Sequence, residues 1–350
     1  MVRSIQIVVL ALASLFLLPG CKREAQPPDE FLPLPALPAG VIELRVGVIE
    51  NPRMPRVTEA QVSLLLDIAQ REVKAHFGLD VRFVRGQSYA ISDVFARYTP
   101  EEIARLQAEI YDFKSAKGDF RRLVDTTVTN LRFTGEDLDA MIRFARPHRL
   151  EPMRTHDYDG LARAMTGTQL RRLKELRSQV LPDGKQLIDD MPYNEYVYWN
   201  TLGRRSLPHE VLLTNQLIAS IEYHGNEVHS AVRGGVANGL TIYNRATRHG
   251  TTSVLSLYPF IGNAPVTQSL RGGENYASDD AMRFAALVLV HEIGHQLLHL
   301  GHPFGQLACV MNPAPLLRFR EWAGNLSAQN CPPADSGGMK PGAAKIRMRN

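Results

Sequence analysis

The segment His291-Glu292-Ile293-Gly294-His295 constrains this chain more than any other. The ten residues before it, 281–290, are almost continuously apolar, with Phe284, Leu287, Val288 and Leu289 among them. Ser278 reads as an N-cap, with Asp279 and Asp280 as acids in the first turn. The pattern predicts a helix apolar around most of its circumference, and therefore buried. On that helix His291 and His295 stand four residues apart and project from one face. Two imidazoles and a carboxylate in such a place need a partner, because a buried polar group left unpaired is costly. A metal ion is a partner for all three. The spacing suits one tetrahedral Zn2+ with bonds of about 2.0–2.1 Å. Glu292, beside the first ligand, is placed to take a proton from a water that the metal activates.

Two more histidines follow. His299 is eight residues beyond His291. That is about 12 Å along a straight helix, out of reach of the same ion unless the helix ends early. Gly301 is the expected stop, and Pro303 prevents continuation. His302 lies between them, where the chain can turn back toward the metal. It is the expected third ligand, with His299 the alternative.

The run resembles the metzincin metalloproteases, whose pattern is His-Glu-x-x-His-x-x-Gly-x-x-His followed by a methionine turn. Cys309-Val310-Met311-Asn312-Pro313 is similar to that turn, with Met311 beneath the metal. Its Cys-x-Met sequence is closest to the archaemetzincin group. Two positions depart from the pattern: Leu298 occupies the glycine position and Gly301 the third-histidine position. One extra residue before His302, and one between it and Met311, restore the register. The resemblance covers residues 278–313. It implies a zincin-like α+β catalytic domain, a mixed twisted sheet with a backing helix and an active-site helix. It also implies one Zn2+ ion and an endopeptidase acting on a protein or peptide substrate, with Glu292 as general base. The cysteine-bound second zinc of archaemetzincins is not expected, since only Cys309 and Cys331 stand near those positions. Some metzincins place a tyrosine two residues after the methionine; Pro313 stands there, so no side chain is assigned to the oxyanion. A gluzincin-type hydrolase is the rival reading, because Glu321 sits where a downstream helix can supply a glutamate ligand. A non-catalytic zinc-binding envelope lipoprotein is the other, and intact Glu292 argues against it.

The flanks suggest export. Arg3 precedes an apolar run over residues 5–18, too short to span a membrane but right for a signal-peptide core. Leu18-Pro19-Gly20-Cys21 resembles a bacterial lipobox, which implies removal of residues 1–20 and lipidation of Cys21. Residues 21–40 carry Pro27, Pro28, Pro33, Pro35 and Pro38 and read as a semi-rigid spacer between membrane and domain. Residues 332–350 read as a mobile basic tail. The expected product is a cell-envelope lipoprotein with its catalytic domain in residues 41–331. With Cys21 lipidated, Cys309 and Cys331 remain as a disulfide pair. A net charge of only +4 argues against a nucleic-acid partner.

Within the domain, residues 41–49 alternate as a strand. Thr58 caps a helix with Val62, Leu65, Leu66, Ala69 and Val73 inward, ending near Gly78. Residues 79–84 form the next strand. Residues 87–200 read as a helical insertion, a wall of the substrate cleft or a packing module. Its helices are expected from Thr99-Pro100-Glu101-Glu102, from Thr134-Gly135-Glu136-Asp137 and over residues 166–180, and an aromatic group at 193–199 closes it. Strands are expected at 211–213, 217–221, 228–232, 240–243 and 252–258, and a short helix at 315–322. By the metzincin resemblance, the segment 228–243 is the candidate edge strand for substrate. His209, His224, His229 and His249 read as ordinary surface or hydrogen-bonding histidines.

Overall fold

A computed structural model describes residues 37, 39–96, 98–109, 118–134, 136–188, 207–219, 221, 223, 227–243 and 250–328. The chain opens as expected with a β-α-β unit. Strand β1 (Ile42–Glu50) alternates buried and exposed at its start and is buried on both faces from Val46 to Ile49, as a central strand must be. Helix α1 (Glu59–Phe77) starts at a reciprocal Thr58–Gln61 capping box and stops at Gly78, whose φ of 71° needs no Cβ. Strand β2 (Val81–Ala90) runs further than residues 79–84 because its parallel pairing with β1 continues past a bulge to Ala90.

The insertion therefore begins after Ala90 rather than at residue 87. Its helices are α2 (Ile91–Phe95), α3 (Pro100–Ala108), α4 (Phe120–Thr134), α5 (Leu138–Ala145) and α6 (Tyr158–Arg177). The helix expected from Thr134-Gly135-Glu136-Asp137 begins only at Leu138, since α4 runs to Thr134. Asp137 caps α5 by accepting from the amides of Asp139 and Ala140. Helix α6 starts well before residue 166, where Asp157 accepts from the Gly160 amide.

The remaining elements are β3 (Val211–Thr214), β4 (Ile218–Ala219), α7 (Val228–Val232), β5 (Val236–Ala237), β6 (Gly239–Tyr243) and β7 (Gly250–Ser256). After them come α8 (Tyr258–Ile261), α9 (Pro265–Leu270), α10 (Ser278–Leu298) and α11 (Phe319–Asn325). Residues 228–232 form a helix, not a strand. Val228 and Val232 are buried at four-residue spacing, and the Arg233 side chain closes the turn by donating to the His229 carbonyl. Strand β7 stops at Ser256, and Pro259 opens α8 where a ladder donor would be missing. Helix α11 begins only at Phe319, because Leu316 takes a left-handed φ of 53°.

The main sheet has the order β2-β1-β3-β7-β6. Its first four strands are parallel, and the edge strand β6 runs antiparallel to β7. The fold is thus α+β with a mixed sheet. Helices α1 and α10 pack together, and α10 lies against β6 and β7. One core contains Leu44, Val46, Leu213 and Leu255 with both helices. A second, on the other sheet face, contains Ile49, Leu212, Leu240, Ile242 and Val254 with α2 and α3. Among the described residues no helix is long and apolar enough to cross a membrane. The expected leader 1–20, Cys21, most of the spacer, the aromatic group 193–199, His224, His249, Cys331 and the tail 332–350 lie outside the described residues.

Candidate metal centre

The start of α10 differs from expectation in one detail. Ala277 is the N-cap, and Ser278 instead accepts a hydrogen bond from the Gln61 amide at 2.9 Å, tying α10 to α1. From there the helix is buried through His291, Glu292 and Gly294. Polar rungs fix it on the sheet. Ser253 donates to Gln296 Oε1 at 2.7 Å, and the Tyr243 hydroxyl donates to the His295 carbonyl at 3.2 Å.

The helix ends two residues earlier than Leu300. His299 is its C-cap, in a left-handed conformation at φ 52°, and the amide of Leu300 reaches back to the Gly294 carbonyl at 3.2 Å. This is a Schellman-type closure with histidine in the usual glycine place. The turn carries His299 inward, fully buried, with its ring centroid 5.9 Å from that of Tyr243. His299 is therefore not the third member of the histidine group. His302 is. The Nε2 atoms of His291, His295 and His302 lie 3.0, 3.0 and 3.2 Å apart. Ligands held tetrahedrally at about 2.05 Å stand about 3.3 Å apart, so the triangle is nearly of the right size.

The tautomers follow from the partners. His291 Nδ1 meets the Val310 carbonyl at 2.9 Å, and His295 Nδ1 meets the Leu300 carbonyl at 2.5 Å. A carbonyl can only accept, so both Nδ1 atoms carry the proton and both Nε2 lone pairs face the centre of the triangle. Burial pushes His291 down to about 3 and His295 to about 4. The nearby His295 lowers His291 further, while the Val310 carbonyl works the other way. Burial likewise drives His302 well below the usual imidazole range. All three are neutral at pH 7, the state a metal ligand needs. The three histidines can therefore hold a metal ion.

Glu292 sits one residue past the first ligand, buried against the edge strand. Its Oε2 accepts from the Thr241 hydroxyl at 2.8 Å. Gly239 faces the same carboxylate: a Cβ there would lie 2.5 Å from Oε1. Met311 is fully buried. Its Sδ packs where a Cβ on Gly294 would stand, so the methionine lies against the helix between the two ligand residues. The turn around it is closed by the Asn312 amide on the Cys309 carbonyl at 2.9 Å. Cys309 is disulfide-bonded. Glu321 lies on α11, mostly exposed and 3.7 Å from the Arg318 guanidinium, and belongs to no candidate ligand group among the described residues.

Several neighbours were not visible in the sequence. Glu136, in the break between α4 and α5, and Glu227, before α7, each approach His302 Nδ1 to 3.7 Å. Burial raises the Glu136 carboxyl well above the usual range, and the Glu227 charge adds to it. His229, read as an ordinary histidine, stacks edge-on to His302 with ring centroids 4.8 Å apart. No local spacing links these residues to α10; only the third dimension does. No protein-family model, curated protein or solved structure matches this chain.

Proposed function

We propose that this protein is a zinc-dependent endopeptidase of zincin-like, metzincin-type architecture. The observation that carries the reading is the pairing of three converging neutral imidazoles with the carboxylate of Glu292, held beside them by Thr241. Three nitrogen donors with room for a fourth ligand are the donor set of a catalytic rather than a structural zinc. When bound, Zn2+ supplies a Lewis acid that acidifies water and polarises an amide carbonyl.

The chain's own residues supply the rest. Glu292 accepts the proton of the attacking water and returns it to the leaving amine. Thr241 donates to Oε2 and fixes the carboxylate's rotamer, and Gly239 leaves Oε1 its space. Among the described residues β6 pairs in the main sheet only with β7, and its other side would take an extended peptide as an added strand. Intact Glu292 favours a hydrolase over a non-catalytic zinc protein. The placement of Glu321 beside Arg318 favours the histidine set over a glutamate ligand.

Chelation tests the reading. The protein should hydrolyse an unfolded protein substrate, lose that activity to a chelator and regain it with Zn2+. Zinc-loaded protein that cleaves no peptide bond would overturn it. The lipobox resemblance further leads us to propose an anchor at Cys21. Cys21→Ser should move the protein from membranes to the soluble fraction, and wild-type protein without lipid would refute this.

A further inference from the structure

We propose a second divalent-cation site on the far side of His302, held by Glu227, His229 and the Nδ1 of His302, with the Glu136 carboxylate beside it. With a single ion these carboxylates would only orient His302, and the arrangement of His229 would have no use. His302 turns Nε2 to the first centre, so Nδ1 faces away from it. There it meets two carboxylate oxygens, Glu136 Oε1 and Glu227 Oε2, each at 3.7 Å. Those separations exceed a hydrogen bond. They suit neighbouring ligands on one ion, which lie about 3.3 Å apart in a tetrahedron and further apart in wider geometries.

Glu227 Oε2 is in turn 3.1 Å from His229 Nε2. One ligand atom from each of Glu227, His229 and His302 lies within 4.8 Å of the others. Among the described residues the buried Nδ1 of His229 has no hydrogen-bond partner, and the ring is held by its contact with Glu227 and by packing on His302 and Phe304. The grouped donors are two imidazole nitrogens and one carboxylate, a set that suits Zn2+ among common divalent ions. Histidines 229 and 302 are 13% and 12% exposed, while Glu227 is 53% exposed and leaves the ion a way in.

With both sites filled, His302 would offer one ring nitrogen to each, its Nδ1 proton passing to solvent water. Glu136 comes from the helical insertion, Glu227 and His229 from the start of α7, and His302 from the loop after α10. A cation there would join α7 to the loop after α10, beside the insertion.

The inference stands apart from the peptidase reading, because its readout is metal content. Metal-free full-length protein is equilibrated with excess Zn2+, freed of loose metal and assayed by elemental mass spectrometry. Wild type should hold two Zn2+ per chain. Glu227→Gln and His229→Gln should each hold one, with metal-free melting temperatures near that of wild type. Should either variant fail to fold, Glu227→Asp keeps the charge on a shorter arm and should weaken the second ion about 10–100-fold. One Zn2+ in saturated wild type, or two held with undiminished affinity in the folded variants, overturns the proposal. Two bound ions without hydrolysis would sink only the peptidase.

Discussion

Gly239→Ala tests how tightly the carboxylate of Glu292 is placed. The backbone at Gly239 lies outside the left-handed region, so alanine meets no conformational barrier there. The obstacle is contact. The new Cβ would stand 2.5 Å from Glu292 Oε1, 2.7 Å from Cγ and 2.8 Å from Cδ. Carbon needs about 3.5 Å from such neighbours, so the carboxylate must retreat by about 1 Å. That movement also breaks its 2.8 Å bond from Thr241. A misplacement of about 1 Å can cost ~10²-fold in rate, equivalent to about 2.7 kcal/mol of barrier. Glu292 is not one of the three histidine ligands, so zinc should stay bound. The assay is kcat on a generic protein substrate, with zinc content and melting temperature measured on the same preparation. A folded, zinc-loaded Gly239→Ala protein within about threefold of wild-type activity would refute this account of the base.

Three further outcomes follow from the same geometry. His302→Ala should empty the first centre in a zinc titration, whereas His299→Ala should leave zinc affinity within about tenfold while lowering stability; the reverse ranking would mean the helix ends otherwise. Gly294→Ala puts a methyl group into Met311 and Phe77 and should destabilise by ~1–3 kcal/mol in a denaturant melt, with a change under about 0.5 kcal/mol contradicting that packing. Burial, with Arg318 and Arg172 nearby, pushes His148 down to about 4 from 6.5. The unfolded chain therefore takes up a proton that the folded one refuses, so stability should hold above pH 6.5 and fall from there toward pH 4; His148→Gln should flatten that slope in melts across the pH range.

The grouping of His291, Glu292 and His295 was legible because they share one turn of one buried helix, where periodicity fixes direction. The Thr58 cap of α1 was legible for the same local reason. That His302 joins the other two histidines was reachable only by asking where the helix stops, and the residue that stops it is His299 rather than glycine. A side chain in a left-handed cap gives no signal of its own in a sequence. The helix at Val228–Val232 was mistaken for a strand because five residues are too few to tell the two periods apart. Glu136, Glu227 and His229 were unreadable as partners of His302, since contact between such distant positions depends on how the insertion packs. Gly239 and Thr241 gained meaning only when β6 was seen to lie over Glu292.

The most direct test of the central claim is Glu292→Gln, with bound zinc and hydrolysis measured side by side. The amide keeps the shape of the carboxylate but cannot take the proton. The account predicts zinc bound as in wild type and hydrolysis lowered by about 10²–10⁴-fold or more. Near-full activity in the zinc-loaded variant would contradict it.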